Sequence, residues 1–186
     1  MKELSLHVLD IAQNSVKAGA TRLDILLEQA GNRLTIMIRD DGCGMSPAFA
    51  AAAADPFTTT RTTRKVGMGL PLFRLAAEQT GGTMTIESRR ADPADGRHGT
   101  CVTATFFTDH VDCAPLGDIA STIVTLLQGN PELALTYVYR SEAGETRLST
   151  EEMKTLLGAD VPLNAPEVLE WVRAYVSEPP GADSGG

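Results

Sequence analysis

A polar face near the start of the chain has an acid, a carboxamide and an amine among its side chains, and these groups could do chemistry together. Intervals of three, four and three residues bring its members to one side of a helix. A carboxylate can orient or deprotonate water, a carboxamide oxygen suits a hard cation, and an ammonium offsets phosphate charge. An ordinary solvated helix surface would have the same pattern, so the interpretation depends on the rest of the chain. The residues of this polar face are His7, Asp10, Asn14 and Lys17.

Two glycine segments follow the polar face. Alternating apolar residues predict strands over 21–29 and 33–39, and the second leads into Asp40-Asp41-Gly42-Cys43-Gly44-Met45. An acid followed by Gly-x-Gly directs a carboxylate at whatever lies close to the backbone, although many such pairs are plain turns. The second segment, Gly67-Met68-Gly69-Leu70, opens a helix that we expect to reach Thr80. Leading amides and the positive end of a helix dipole favour an anion there.

The stretch between the two glycine segments is rich in threonine and cations. Residues 55–66 hold five threonines and three cations and few apolar residues, which predicts a loop rather than a core element. A lid over the bound anion and a solvated linker are the two interpretations. Three cations directly before the second glycine segment favour phosphate as the anion.

Composition restricts the class of protein. The chain has 186 residues, 42% of them apolar, and a net charge of −8, which argues against coating nucleic acid because that requires an excess of Lys and Arg. Three scattered cysteines favour reduced thiols over a disulfide framework or a zinc site. No apolar stretch approaches the length of a membrane span. We therefore expect a cytoplasmic globular protein.

A nucleotide lying against the first helix would explain these separate features together. We first consider the contacts that its base would make. Asp40 would accept a hydrogen bond from the exocyclic amine of adenine, since carboxylates accept from such donors. Thr100, which begins a further predicted strand over 100–107, would support the same edge directly or through water. A strand over 83–88 is expected beside it.

The other residues would serve the phosphates. Asn14 would bind Mg²⁺ together with phosphate oxygens, and Lys17 would offset phosphate charge. Amides at Gly67 and Gly69 would hold the β- and γ-phosphates. Asp10, one turn before Asn14, would orient or deprotonate the water that attacks the γ-phosphate.

The order of these motifs resembles the GHKL superfamily of ATP-binding domains. Asp10 and Asn14 are similar to its N box, the segments at 40–45 and 67–70 to its first two glycine boxes, and Gly99-Thr100 to its third. The resemblance spans about residues 3–108 and implies a Bergerat fold, an α/β sandwich with a mixed sheet covered by helices. It implies this nucleotide-binding set: Asn14, Lys17, Asp40, Gly42, Gly44, Met45, Thr58, Thr59, Lys65, Gly67, Met68, Gly69, Leu70 and Thr100, with Asn14 on the metal and Asp10 catalytic.

Two departures from the family pattern affect the expected activity. The general base of the hydrolases in this superfamily is usually Glu, and Asp10 is one methylene shorter, so we expect slow hydrolysis or a partner that adjusts the geometry. Lys65 stands where the second glycine box usually opens with another glycine, and it could contact phosphate or remain solvated.

The C-terminal half carries no recognisable catalytic constellation. We divide the chain into an ATP-binding domain over 1–110, a small α/β appendage over 111–177 and a disordered tail over 178–186. Within the appendage we expect a helix over 118–128, a hairpin with strands at 133–140 and 146–148, and two helices that end near 158 and 176. Ser149 with Glu152, and Asn164 with Glu167, are the expected caps of those two helices.

Three functional classes remain open. We expect no dimerising helical hairpin with an acceptor histidine ahead of this domain, so the chain resembles a stand-alone member of the superfamily. An ATPase or ATP switch that acts on a partner protein is the first class. A kinase that transfers the γ-phosphate to a partner, resembling the anti-sigma-factor serine kinases or histidine kinases, is the second. A sensor that binds ATP without turnover is the third. The oligomeric state is open.

Overall fold

A computed structural model describes residues 2–55 and 68–179, which form six helices and six strands. The observed bounds differ from the predicted ones by one or two residues. In chain order the elements are α1 (Leu4–Lys17), β1 (Arg22–Ala30), β2 (Arg33–Asp40), α2 (Pro47–Ala53), α3 (Gly69–Gln79), β3 (Met84–Arg89), β4 (Gly99–Phe107), α4 (Ile119–Gly129), β5 (Ala134–Ser141), β6 (Gly144–Ser149), α5 (Thr150–Leu157) and α6 (Pro166–Ser177).

The six strands form one mixed sheet in the order β3-β4-β2-β1-β5-β6. Every neighbouring pair is antiparallel except β1 and β5, which run parallel. At the centre of the sheet, Ile25 pairs with Ile38 on one side and with Tyr137 on the other. The mixed α/β architecture confirms the fold class expected from the sequence.

One face of the sheet is buried under helices. In β1 the buried residues Leu23, Ile25 and Leu27 alternate with more exposed ones, as the sequence pattern predicts. Helix α1 packs against β2, and α3 packs against β3 and β4. Where α3 meets β4, the ring centroids of Phe73 and Phe106 lie 5.4 Å apart, with the ring planes at 49° to each other. Each such buried side chain stabilises the fold by about 1.5–3 kcal/mol.

The C-terminal segment 111–177 extends the same sheet. Strand β5 pairs with β1 from Arg22 to Glu28, and helix α4 packs against α1 and α6. The backbone amide of Leu4 donates to the carbonyl of Pro115 at 2.9 Å, and the hydroxyl of Thr122 donates to the carbonyl of Ser5, also at 2.9 Å. Residues 111–177 are therefore joined to the start of α1 by hydrogen bonds as well as by packing. The division at residue 110 stays a prediction.

Of the two predicted helix caps, the one at Ser149 is confirmed and the one at Asn164 is wrong. Ser46 and Ser149 accept hydrogen bonds from the first turns of α2 and α5. The expected cap of α6 by Asn164 with Glu167 is not formed, because Ala165 is the N-cap residue and supplies no side-chain bond. Pro166 follows in the first turn, where a missing amide costs nothing.

Within the described part of the chain, none of the helices combines the length and the apolar composition that crossing a bilayer requires.

Candidate functional site

A cavity of about 430 Å³ opens between α1, the loop after β2 and the start of α3. Its volume lies within the range of small-molecule sites. Seven residues assigned from the sequence line it, and six others complete the wall. The seven are Asn14, Lys17, Asp40, Gly44, Met45, Leu70 and Thr100, and the six are Ile11, Ser15, Ala18, Cys43, Phe49 and Val102.

The carboxylate of Asp40 is fixed on the wall of this cavity. The hydroxyl of Ser15 donates to Oδ2 at 2.6 Å, and the amide of Gly42 donates to Oδ1 at 2.8 Å. A carboxylate has about four acceptor positions, so both oxygens keep capacity for a further donor. Ser15 is buried, and sequence reasoning missed it because its partner is far away in the chain.

The loop after β2 requires its glycines for close packing. Gly44 has φ +71°, and a Cβ on it would lie 1.8 Å from the carbonyl oxygen of Arg89. The amide of Cys43 donates to the carbonyl of Ala18 at 3.0 Å, and the amide of Ala91 donates to the carbonyl of Cys43 at 2.8 Å. The loop is therefore held between the end of α1 and the end of β3.

Two further polar residues that the sequence did not single out support this loop. The hydroxyl of Ser88 accepts from the amide of Met45 at 2.8 Å and lies 2.7 Å from the hydroxyl of Thr100. Nδ1 of His98 lies 2.6 Å from the carbonyl oxygen of Gly42, a distance at which the protonated nitrogen donates. Ser88 pairs with Thr100 across the β3–β4 ladder, and that register is the signal that could have revealed it.

The neighbouring carboxylate, Asp41, faces a different set of partners. It accepts from the amides of Thr21 and Arg22 at 2.8 and 2.9 Å and from the Thr21 hydroxyl at 2.6 Å. Burial raises the pKa of Asp41, but these hydrogen bonds together outweigh burial and hold the pKa below its ordinary value. Asp41 does not line the cavity and instead fastens the turn between α1 and β1.

The start of α3 lies against α1. A Cβ on Gly69 would lie 3.4 Å from Cβ of Asp10 and 3.7 Å from Nδ2 of Asn14. No side-chain hydrogen bond from the N-cap residue Met68 caps the start of α3, and the first turn holds no acidic residue. Because the leading amides of an α-helix have no intrahelical acceptor, this helix end favours an anion. Gly42 and Gly69 are buried and Met68 is exposed, and none of these three lines the cavity.

The polar face of α1 divides into an inner and an outer part. His7 is buried against Phe73, with ring centroids 5.9 Å apart, and its Nδ1 has no hydrogen-bond partner among the residues that the structure describes. Burial lowers its pKa most, and the charge of Lys2 lowers it further. Asn14 and Lys17 reach the cavity. Asp10 does not line it, and its carboxylate pairs with Nζ of Lys2 at 2.5 Å, both side chains being 38–47% exposed.

The remaining predicted residues, Thr58, Thr59, Lys65 and Gly67, lie outside the described residues, as does the rest of the predicted lid over 56–66.

The protein donors at the cavity fit a magnesium ion that takes some of its ligands from the protein and the others from nucleotide phosphates and water. Among residues 2–55 and 68–179, no group of three His, Cys, Asp or Glu residues could hold a metal ion alone. Mg²⁺ keeps several waters and is usually bound by one or two protein oxygens and substrate phosphates. The carboxamide of Asn14 at the cavity wall is a ligand of this kind.

Comparison with known proteins places the chain in a family. The family model of the histidine kinase-, DNA gyrase B- and HSP90-like ATPases matches residues 2–110, more than half of the chain. The tetrathionate sensor histidine kinase TtrS of Salmonella typhimurium is 36% identical over 113 residues, covering 61% of this chain and 18% of that protein. The mismatch repair protein MutL of Paramagnetospirillum magneticum is 39% identical over 54 residues, covering 29% of this chain and 9% of that protein.

A solved structure gives the fold comparison. The ATPase domain of Aquifex aeolicus MutL, solved with ADP, superposes with a TM-score of 0.52 at 16% identity, covering 84% of this chain and 69% of that one. At this identity the likeness shows a shared fold. The chain spans less than a fifth of the length of the two curated relatives. By the family match and the fold together, the chain belongs to the histidine kinase-, DNA gyrase B- and HSP90-like ATPases, the GHKL ATP-binding family that its motifs resemble.

Proposed function

We propose that this chain binds Mg-ATP in the cavity beside α1 and uses the nucleotide state to act on a partner protein. The observation that carries the proposal is the Asp40 carboxylate, held by Ser15 and Gly42 on the wall of a cavity of about 430 Å³. A carboxylate fixed at both oxygens can accept from the exocyclic amine of adenine without losing further freedom. Family membership supports ATP as the ligand.

The phosphates would extend from this base site toward the start of α3. Lys17 lies on the cavity wall beside Asn14, and the N-terminal end of α3 packs against the same helix. Bound Mg²⁺ supplies charge neutralisation at the phosphate oxygens, and Asn14 would be its protein ligand. Thr58, Thr59, Lys65 and Gly67 complete the proposed phosphate site, with the stretch 55–66 as its lid.

Asp10 is the proposed general base for hydrolysis. It lies one turn from Asn14, but its carboxylate is paired with Lys2 and is one methylene shorter than the usual Glu. Both features support slow turnover, which suits a switch better than a rapid ATPase. We propose the cytoplasm as the compartment, which agrees with the three free thiols.

One assay tests the proposal and separates its variants. The protein is incubated with Mg²⁺ and ATP labelled at the γ-phosphate, alone and with candidate partners. Free phosphate supports a hydrolysing switch, label on a partner supports a kinase, and binding without either supports a sensor. Absence of ATP binding would contradict all three. Asp10→Asn is expected to spare ATP binding and stop phosphate release, and unchanged release would remove the general-base role.

A further inference from the structure

An apolar groove lies between the last two helices and shares no residue with the nucleotide cavity. Its volume is about 400 Å³, and one acidic residue, Glu167, stands at its wall. A space of this size accommodates a few side chains rather than a folded surface. The apolar residues that line it are Met153, Leu156, Leu157, Val161, Val168 and Trp171.

The groove presents exposed apolar side chains with one of them fixed in place. Leu156 is 85% exposed and Trp171 is 52% exposed. The indole of Trp171 stacks on the ring of Tyr175, with centroids 5.0 Å apart and planes at 11°. The hydroxyl of Tyr175 donates to the carbonyl of Arg147 at 2.7 Å, which holds the stack. A fixed aromatic side chain loses little entropy on binding and is a typical anchor of an interface.

One residue of the groove wall, Glu167, is acidic, and two further acidic residues are sequence neighbours of the wall residues Val161 and Trp171; we call these three the acidic rim. Glu170 follows Glu167 by three residues on α6, and Asp160 directly precedes Val161. None of these three carboxylates forms an ion pair with any residue in 2–55 or 68–179. The nearby cations have other partners, since Lys154 pairs with Glu132 at 3.6 Å and Arg173 with Asp118 at 3.9 Å.

We propose that this groove binds an amphipathic helix of a partner protein, with Lys or Arg flanking the apolar side chains that fill it. The apolar stripe would cover Leu156 and Trp171, and the cations would meet Asp160, Glu167 and Glu170. A second copy of this chain is a poorer occupant because it would bring two acidic rims together. The C-terminal residues 180–186 of this chain are also a poor occupant, because they include no large apolar side chain to fill the groove. The proposal goes beyond the nucleotide function and does not depend on it.

The fluorescence of Trp171 provides a direct test, because it is the only tryptophan in the chain. Two synthetic helical peptides of about 18 residues, or five turns, share a leucine stripe and carry either Lys or Glu beside it. The Lys peptide is expected to shift the Trp171 emission to the blue with a saturable dependence. Binding of the Glu peptide is expected to be about tenfold weaker, the combined effect of three exposed ion pairs. High salt reduces the difference.

Matched variants show whether binding occurs at the groove. Leu156→Glu is expected to abolish the shift without unfolding the protein, since the side chain is 85% exposed. Val111→Glu is the control, with 88% exposure at a position that does not line the groove, and it should leave binding unchanged. Glu167→Lys combined with Glu170→Lys is expected to reverse the preference in favour of the Glu peptide.

Three results would overturn the proposal. The first is equal affinity for the two peptides, which would show that the acidic rim has no role. The second is the absence of a blue shift with either peptide. The third is a dimer in analytical ultracentrifugation that Leu156→Glu dissociates, which would assign the groove to contacts between copies of this chain. Each measurement is made without ATP, so its outcome is independent of nucleotide binding.

Discussion

The two ends of the proposed nucleotide cavity are built differently. At the base end, Asp40, Gly44 and Thr100 are held by hydrogen bonds from buried or half-buried groups and by backbone contacts that only glycine allows. At the proposed phosphate end, Lys17 is exposed, and Asp10, which does not line the cavity, is paired with Lys2 near the surface. We infer that base recognition is preorganised, whereas the catalytic geometry needs rearrangement when the ligand or a partner binds.

The largest expected effect tests the rigidity of the base end. Gly44→Ala should place a methyl group 1.8 Å from the Arg89 carbonyl, at a residue with φ +71°. Gly19→Ala is the control, because Gly19 has φ +82° but a Cβ added to it would have no neighbouring atom within 4 Å. Both variants incur a cost of about 1–2 kcal/mol for the left-handed backbone, and Gly44→Ala loses about 1–3 kcal/mol more from the clash. Urea unfolding measures the difference, and ATP titration should show lost binding only for Gly44→Ala. Equal stability losses would contradict a rigid base end.

The second prediction separates two adjacent carboxylates. Asp40→Asn is expected to weaken ATP binding by about 10–100-fold, the equivalent of a charged hydrogen bond, and to reduce the preference for ATP over GTP. Asp41→Asn should leave ATP affinity nearly unchanged and lower the free energy of unfolding by about 1 kcal/mol. Isothermal titration measures the ATP affinity of both variants, and urea unfolding measures their free energy of unfolding. If Asp40→Asn left both ATP affinity and base preference unchanged, the base would not bind at Asp40.

Asp41 also predicts a dependence on pH. Because its pKa is lower in the folded state than in the unfolded state, its ionised form stabilises the fold above the unfolded pKa. That contribution is lost as the pH falls through the folded pKa. The stability difference between the parent and Asp41→Asn should therefore shrink as the solution is acidified through this range. A difference that stays constant down to the lowest pH would contradict the role of its three hydrogen bonds.

A third, smaller effect concerns magnesium at the phosphate end. Asn14→Ala is expected to remove the gain in ATP affinity that Mg²⁺ provides, roughly tenfold, while binding of ATP without metal changes little. Gln13→Ala removes the same functional group one residue earlier, at a position that does not line the cavity, and should retain the magnesium effect. ATP titrations in the presence of Mg²⁺ and in the presence of EDTA measure the gain in affinity that the metal provides. Equal behaviour of the two variants would remove Asn14 as the metal ligand.

The smallest effect concerns the ion pair that engages Asp10. Lys2→Ala is expected to raise the rate of phosphate release by a few-fold, because an exposed ion pair contributes about 0.2–1 kcal/mol. The thermal midpoint should hardly change. Arg74→Ala, which breaks the similarly exposed pair with Glu78, is the control and should leave the rate unchanged. A lower rate in Lys2→Ala would show that Lys2 assists the reaction instead of restraining Asp10.

The sequence predicted the elements and motifs well because they depend on local patterns. The alternation in β1 and β2, the acid and glycines after β2, and the cap at Ser149 involve neighbouring residues. Ser15, Ser88 and His98 were missed because their partners come from distant parts of the chain. The pairing of β5 with β1 was missed for the same reason, since an alternating strand does not specify its neighbour.

The parallel pairing of β1 with β5 has a consequence for biosynthesis. Residues 22–28 emerge from the ribosome about 110 residues before their partners at 134–140, so this contact contributes to slow, non-local folding. Until the later strand arrives, the outer edge of β1 offers open amide and carbonyl groups to any other extended peptide. The nascent protein is therefore most prone to aggregation after the nucleotide-binding motifs have been translated and before β5 is complete, the interval in which a chaperone would have its largest effect on yield.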